Sequence, residues 1–355
     1  MRFAFHIVTV ALTAVVAFSL PSRDVSAERL VAQIYGGQTD PSIMEGPIAL
    51  VYTGSSGCTG TLVGSRTVLT AAHCTTAIGS IDQVVVVIGR RGYRAVSVSA
   101  HPRFDLLESP LAGAPYDLGV IELSAVPPIA PLPVFIDRPI VIGTELSIAG
   151  YGLHESSSIA DNLEEYARTG RSFVYQVDRS GIFFQRHRGG GASSCPGDSG
   201  GPAILNESGY RGVVGTLSVG VNGSLDGNCT LRGDGRFAHV NLQTASARQF
   251  LSKFSDIQYI SGYRIFIESA SRSSASSLRR LLRNSTLSSL QRGVRSALAS
   301  VAKAREYADG QRLELLNSAF SQLRSASRSK NIERIKGHIL TSTEALNQVV
   351  SLGVF

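Results

Sequence analysis

Charge is scarce in this chain. Of its 355 residues only 17% are Asp, Glu, Lys or Arg, against 43% hydrophobic, a balance that excludes wholesale disorder and permits a sizeable core. Lysine is scarcer still: the 34 basic residues include only Lys253, Lys303, Lys330 and Lys336. Four cysteines are present, but no C-x-x-C or H-x-x-x-H spacing accompanies them, so neither a metal nor another cofactor is expected. After Leu20 no run approaches the roughly 20 apolar residues that a membrane span requires, so no span is expected in the mature protein. No specific nucleic-acid motif occurs.

The chain opens on an apolar stretch, Phe3 to Leu20, preceded by Arg2 and followed by Pro21-Ser22-Arg23-Asp24 and the small-residue site Val25-Ser26-Ala27. Residues 1–27 therefore read as a secretory signal peptide, which places the mature protein outside the cell, or in the periplasm if bacterial. Disulfides persist there, and four cysteines allow three pairings, among which count cannot choose. Basic charge is unevenly spread. Residues 34–255 hold 16 Lys and Arg against 18 Asp and Glu, whereas 256–355 hold 15 against 7. The formal net charge of +7 is thus a property of the last hundred residues.

Between Ile34 and Val240, short β-branched runs such as Ile48–Tyr52, Val84–Ile88, Leu118–Leu123, Leu146–Ala149 and Gly212–Val219 alternate with Gly, Pro, Asn and Asp. That spacing argues an all-β sandwich or barrel over a parallel α/β sheet. From Asn241 to Phe254 the period changes, and Ala245, Phe250, Leu251 and Phe254 share one helical face. Three polar constellations interrupt the β body: His73 in Thr70-Ala71-Ala72-His73-Cys74, Asp117 before Leu118-Gly119-Val120, and Ser199 in Gly197-Asp198-Ser199-Gly200-Gly201-Pro202. Singly each is weak, since a lone His is usually a packed group and Asp or Ser beside glycine usually marks a turn. Their joint occurrence is the signal.

On these three blocks, in the order His, Asp, Ser, the chain resembles the chymotrypsin/trypsin-like serine proteases over roughly residues 34–254. Weaker matches are Ile34-Tyr35-Gly36-Gly37, His101-Pro102-Arg103-Phe104 and Gly150-Tyr151-Gly152, where Tyr151 stands at a position often held by Trp. The resemblance implies two six-stranded antiparallel β-barrels closed by a C-terminal helix, and a serine endopeptidase acting on protein or peptide substrates. It implies Ser199 as nucleophile, His73 as general base and then acid, and Asp117 holding the imidazole in its productive tautomer. A serine hydroxyl needs such a base, because near pH 7 it is a poor nucleophile by itself. The backbone N–H groups of Gly197 and Ser199 would face the oxyanion.

The resemblance also implies a precursor in which residues 28–33 form a short propeptide. Cleavage before Ile34, by an activating protease, would free an α-amino group to pair with Asp198. Implied disulfides are Cys58–Cys74 and Cys195–Cys229. At the base of the primary specificity pocket stands Ser193, with Ser218, Gly220 and Gly235 at its walls. A small neutral base argues for a large apolar or aromatic residue before the scissile bond, where an acidic base would select Arg or Lys. Two rivals are a catalytically silent protein-binding module on the same fold, and a periplasmic quality-control protease. All three triad positions are filled, which disfavours the first; the Asp before Ser199 and the Ile34 terminus disfavour the second.

After Phe254 the composition shifts to Ser, Arg, Leu and Ala, and residues 256–355 read as a basic helical C-terminal domain separate from the protease domain at 34–255. Leu278, Leu281, Leu282, Leu290, Val294, Leu298 and Val301 form one helical stripe. Beyond a turn at Asp309-Gly310, Leu313, Leu316, Phe320 and Leu323 begin a second, and Ile332, Ile335, Ile339, Leu346 and Val350 a third. A helical hairpin or small bundle over Ser276–Leu352 is expected. Its arginines, among them Arg279, Arg280, Arg283, Arg292 and Arg295, are candidates for a polyanion or a protein partner, or form a solvated helix face.

Overall fold

A computed structural model describes residues 34, 37–40, 45–54, 57–76, 78–105, 107–108, 110–152, 167–180, 182–186, 192, 194–221, 236–283 and 285–354. The expected signal peptide and propeptide lie outside the described residues. A two-residue strand, β1 (Gln38–Thr39), precedes the first barrel. That barrel comprises β2 (Ile48–Tyr52), β3 (Gly57–Leu62), β4 (Thr67–Thr70), β5 (Val85–Ile88), β6 (Arg91–Ala100) and β7 (Gly119–Leu123), closed in the order β2-β3-β4-β7-β6-β5.

After the crossing strand β8 (Val134–Ile136) come β9 (Glu145–Gly150), β10 (Arg168–Val177), β11 (Ile182–Arg186), β12 (Pro202–Glu207), β13 (Tyr210–Val221) and β14 (Arg236–Asn241). β9 pairs with β10, β10 with β11, β11 with β14, β14 with β13 and β13 with β12; β12 then returns to β9, so a second antiparallel ring of six closes. The two-barrel expectation is met. Of the apolar runs read from the sequence, Ile48–Tyr52 coincides with β2, and the others overlap β5, β7, β9 and β13.

Strand β2 shows why these runs are nearly continuous instead of alternating. Side chains alternate sides along a strand. Here Ile48 and Leu50 join the cluster between the barrels, with Ile204, Val213 and Val240 of the second, while Ala49 and Val51 face a cluster of first-barrel residues. Both faces are buried, so both demand apolar residues. Helix α1 (Ala72–Thr76) follows β4, and α2 (Ala245–Leu251) packs Ala247, Phe250 and Leu251 into the inter-barrel cluster as the closing helix. Thr244 caps α2, its hydroxyl accepting from the Ala247 N–H.

The C-terminal region holds more regular structure than expected. A strand, β15 (Tyr259–Ser261), is followed by four helices: α3 (Gly262–Leu281), α4 (Leu287–Arg305), α5 (Gly310–Arg328) and α6 (Ile332–Ser351). Each packs on its neighbours in a ring around Ile267, Leu278, Leu290, Val294, Leu316 and Leu346, and the short connections make the arrangement up-down-up-down. The single stripe expected from Leu278 to Val301 is two helices, because Thr286 starts a new one by accepting from the Ser289 N–H. Nor does the helical part begin at Ser276. α3 starts at Gly262, and its buried face includes Glu268, Ser271 and Ser274, which carry no apolar signal. No helix among the described residues is long and apolar enough to cross a membrane.

The bundle is docked on the barrels. β15 runs parallel to β8, and β8 parallel to β13 at Val134↔Val213. Ile260, Ile265 and Val354 join the second barrel's cluster with Phe135, Phe183 and Val214. The Asp256 carboxylate accepts from Ser65 Oγ (3.0 Å), the Arg66 N–H (2.8 Å) and Thr67 Oγ1 at the β3–β4 turn. Burial alone would raise its pKa; these donors outweigh it and hold the carboxyl below its ordinary value.

In the second barrel His239 of β14 stands opposite Phe183 of β11, their rings stacked with centroids 5.2 Å apart. The imidazole is buried, and neither ring nitrogen has a hydrogen-bond partner among the described residues. Burial pushes its pKa down to about 3. In the unfolded chain a histidine takes up its proton near pH 6.5, so stability falls as pH drops from there towards 3, by up to about 5 kcal/mol. We expect His239→Leu to resist acid better than the parent, with a stability difference that widens below pH 6. Denaturant titrations at several pH values measure it, and a difference independent of pH would refute this role.

Candidate active site

The register of two strands brings His73 and Asp117 together across 44 residues of sequence. β4 and β7 pair antiparallel with Thr70 opposite Gly119. The residue three past the end of β4 therefore meets the residue two before the start of β7. Asp117 Oδ2 accepts from His73 Nδ1 at 2.7 Å, and Oδ1 accepts from the His73 backbone N–H at 2.9 Å. Ser218 Oγ of β13 donates to the same Oδ2 at 2.6 Å. The carboxylate is buried and the imidazole about one-third exposed, at 3% and 32% respectively. A carboxylate only accepts, so on the neutral ring Nδ1 carries the proton and Nε2 is left as acceptor.

Packing steadies this pair from outside. His101, just past β6, stacks on Tyr116 at 5.2 Å and lies against Phe250 of α2 at 5.3 Å. Its Nε2 is 3.0 Å from Ser246 Oγ and its Nδ1 accepts from the Arg103 N–H, so it is a packing group that seats the Tyr116-Asp117 turn on α2. Burial chiefly lowers its pKa. The Cys58–Cys74 disulfide ties β3 to α1 beside His73. These three side chains cluster as metal ligands would, but the two sulfurs are spent on each other and present no thiolate.

Ser199 lies in a loop moulded onto β3. The Thr59 N–H donates to the Ser199 carbonyl at 2.8 Å, and Thr59 Oγ1 donates to the Gly197 carbonyl at 3.0 Å. Two glycines have backbones that other residues rarely adopt, Gly197 at φ 91° and Gly200 at φ 82°. A β-carbon on Gly200 would also stand 2.1 Å from Thr70 Oγ1, so this glycine lets the loop press against the end of β4, three residues before His73. On the other side the Gly200 N–H donates to the Leu217 carbonyl, and the Leu217 N–H to the Gly201 carbonyl, both at 2.8 Å. Ser199 is thereby fixed between the strand that leads to His73 and the strand that carries Ser218. Neither the Gly197 nor the Ser199 N–H donates to an acceptor among the described residues.

Asp198 is fully buried. Its Oδ2 accepts from the Cys195 N–H (2.7 Å) and its Oδ1 from the Gly152 N–H (2.9 Å). Among the described residues no cation pairs with it, and burial pushes its pKa up to about 7 despite those two bonds. Ile34 is buried as well, in a small cluster with Ile148 of β9 and Ala192. Cys195 is disulfide-bonded; Cys229, the one cysteine left by count, lies outside the described residues, as do Ser193 and Gly235. Gly220 is exposed near the end of β13, whereas the Ser218 side chain turns to Asp117. One contributor, Thr59, had no sequence signal, and Ser218, expected as a wall of the specificity pocket, instead donates to Asp117. Thr59 acts on Gly197, 138 positions away, and Ser218 on Asp117, 101 away, and neither sits in a distinctive motif.

Comparison with known proteins agrees with this geometry. Residues 34–241, well over half of the chain, match the trypsin family. Trypsin 5G1 of Aedes aegypti is 28% identical, over 65% of this chain and 88% of its own length. Serine protease SP24D of Anopheles gambiae is 30% identical over 45% of this chain, which spans 62% of that protein. A trypsin of Saccharopolyspora erythraea is 28% identical over 53% of this chain and 86% of its own. The family match ends at Asn241, so α2 and the four-helix bundle lie beyond it. With the matched segment spanning both barrels and containing His73, Asp117 and Ser199, the chain belongs to the trypsin family and is a serine endopeptidase.

Proposed function

We propose that Ser199 is the nucleophile of this endopeptidase, His73 its base and acid, and Asp117 the group that orients His73. Ser199 Oγ attacks the scissile carbonyl carbon while its proton passes to His73 Nε2. The C–N bond then breaks as His73 returns that proton to the leaving amine, and water releases the acyl group by the same relay. Gly197 and Ser199 N–H groups stabilise the oxyanion. The observation that carries this reading is the His73–Asp117 hydrogen bond, reinforced by Ser218, directly beside the loop of Ser199.

The finer proposal is a secreted enzyme, made as a precursor cleaved before Ile34 by another protease, that cuts after large apolar or aromatic residues. The uncharged Ser193 supports the preference. Burial of Ile34 beside β9, and a buried Asp198 carboxyl that no cation pairs with among the described residues, support the activation step. Residues 256–355 form a helical domain kept in the mature enzyme, a reading supported by the burial of Val354 against the second barrel.

Three outcomes test these assignments. An organophosphorus reagent should label the processed enzyme at Ser199 alone, with Ser199→Ala unlabelled, and the labelled enzyme should lose turnover of peptides cut after Phe, Tyr or Leu. Labelling elsewhere, or preferred cleavage after Arg, would overturn the nucleophile or the specificity respectively. Ser218→Ala removes a hydrogen bond to a buried carboxylate, worth about 1.5–3 kcal/mol. We expect kcat to fall roughly 10- to 100-fold with KM little changed, as steady-state kinetics would show.

The third concerns Asp198, whose folded pKa of about 7 stands above its ordinary 3.8. The folded precursor therefore holds a proton that the unfolded chain has released, and stability drops as pH rises from about 4 through 7, by about 4 kcal/mol in all. In the cleaved form the α-amino cation pairs with the carboxylate and this loss disappears. Denaturation of uncleaved and cleaved Ser199→Ala protein across that range checks it; a flat precursor profile, or full activity of an uncleaved Ser199 chain, would count against activation at Asp198.

A further inference from the structure

The proposed mechanism uses none of the charge carried by the helical bundle, and four of the bundle's arginines line a single groove. Arg272, Ser276, Arg279 and Arg280 of α3, with Arg283 just past its end, line a groove of about 440 Å³ whose other wall is Asn347 and Val350 of α6. Spacings of four, three and four residues set Arg272, Ser276, Arg279 and Arg283 on one helix face, with Arg280 alongside. Along the axis this row extends about 16 Å.

Little neutralises these charges. Among the described residues, Glu268, bound to Arg272, is the one carboxylate in ion-pair distance of any of the four arginines. Arg279 donates to Asn347 Oδ1 at 2.6 Å and Arg280 to Ser277 Oγ at 3.1 Å. These acceptors are neutral: they aim the guanidinium groups without cancelling them. The negative end of the α3 dipole offsets about half a charge, far less than the arginines supply. Like charges held this close repel, and a bound polyanion would relieve that repulsion. Arginine, whose planar fork matches sulfate and carboxylate oxygens, is used throughout; the groove contains no lysine.

We propose that this groove binds a linear polysaccharide bearing sulfate or carboxylate groups. Its length accommodates anionic groups on successive units of an extended polymer. A single-stranded nucleic acid would be expected to stack its bases on aromatic side chains, and the lining has none. Adsorption to a lipid surface calls for an apolar face beside the charge, and the lining offers only Val350. Ser276 and Asn347 instead supply donors and acceptors suited to sugar hydroxyls. The site stands apart from the catalytic centre, so it does not depend on the triad assignment.

The test uses full-length chain carrying Ser199→Ala, to prevent self-digestion, and heparin as the sulfated polysaccharide. We expect binding at about 0.15 M salt that weakens steeply as salt rises. The triple variant Arg279→Ala, Arg280→Ala, Arg283→Ala should bind at least about tenfold more weakly. A matching Gln triple, which keeps more of each side chain, should do the same and guards against misfolding, monitored by circular dichroism. Replacing Arg292, Arg295 and Arg328 by Ala removes equal charge from elsewhere on the bundle and should leave affinity within about twofold. Equal weakening by the two alanine triples would reduce the effect to net charge and overturn the site, as would absence of heparin binding by the parent. Tighter binding of single-stranded DNA or phosphatidylserine vesicles, lost in the groove triples, would overturn the polysaccharide assignment.

Discussion

The candidate active site is organised around one buried carboxylate. Asp117 has almost no access to water, so its oxygens must be satisfied by protein donors or its charge would be costly to bury. It finds three: the His73 ring, the His73 backbone and the Ser218 hydroxyl. These come from different parts of the chain, the short helix α1 after β4 and the strand β13 of the other barrel. Satisfying Asp117 therefore requires that the two barrels be packed in their proper relation. The same three bonds leave Nε2 as the ring's free acceptor, so the demand of the buried charge and the demand of the chemistry are met by one arrangement.

The Ser199 loop is held by similar logic, with backbone groups in place of charge. Thr59 donates from both its N–H and its hydroxyl to carbonyls of the loop, and its hydroxyl accepts from the Tyr151 N–H at 3.0 Å. Carbonyls that point at β3 direct the loop's remaining N–H groups elsewhere, and those of Gly197 and Ser199 stay unspent on described acceptors. Such a turn needs positive φ at two places and contact with Thr70 at one of them, which explains why glycines bracket the Asp198-Ser199 pair. Tyr151, the residue that departs from the family's usual Trp, is buried with its hydroxyl 3.4 Å from the Ile48 carbonyl, and burial pushes its pKa up to about 12.

The motifs around His73 and Ser199 were legible in the sequence because each runs over several consecutive positions with distinctive flanks. Strands buried on both faces were legible for a different reason: β2 and β5 are runs of apolar residues with no polar face to interrupt them. By contrast β6, with Arg91, Arg94, Ser97 and Ser99 along a largely solvated strand, and the three-residue β15 carried too little apolar signal to be read. The part of α3 before Ser276 was hidden in the same way, since it buries Ser271, Ser274 and the Glu268 side chain, the last paired with Arg272 and with Tyr210 Oη. Sequence periodicity reports the polarity of a buried face; where that face is lined with small or paired polar residues, only the fold reveals it.

The docking of the bundle bears on the enzyme as well as on itself. Its helices have their own apolar core, which by that measure makes them a unit. Yet β15, which leads into α3, extends the second barrel's sheet through β8 to β13, and the pairing at Val213 lies on the same strand as Leu217 and Ser218. Leu217 holds the Ser199 loop and Ser218 holds Asp117. A twelve-residue strand so anchored at one end has less freedom to shift at the other. β8, which receives β15, thus pairs in turn with the strand whose Ser218 hydroxyl is bonded to Asp117. Loss of the bundle would therefore remove Ile265 and Val354 from the cluster that also holds Phe135, Ile140 and Val214.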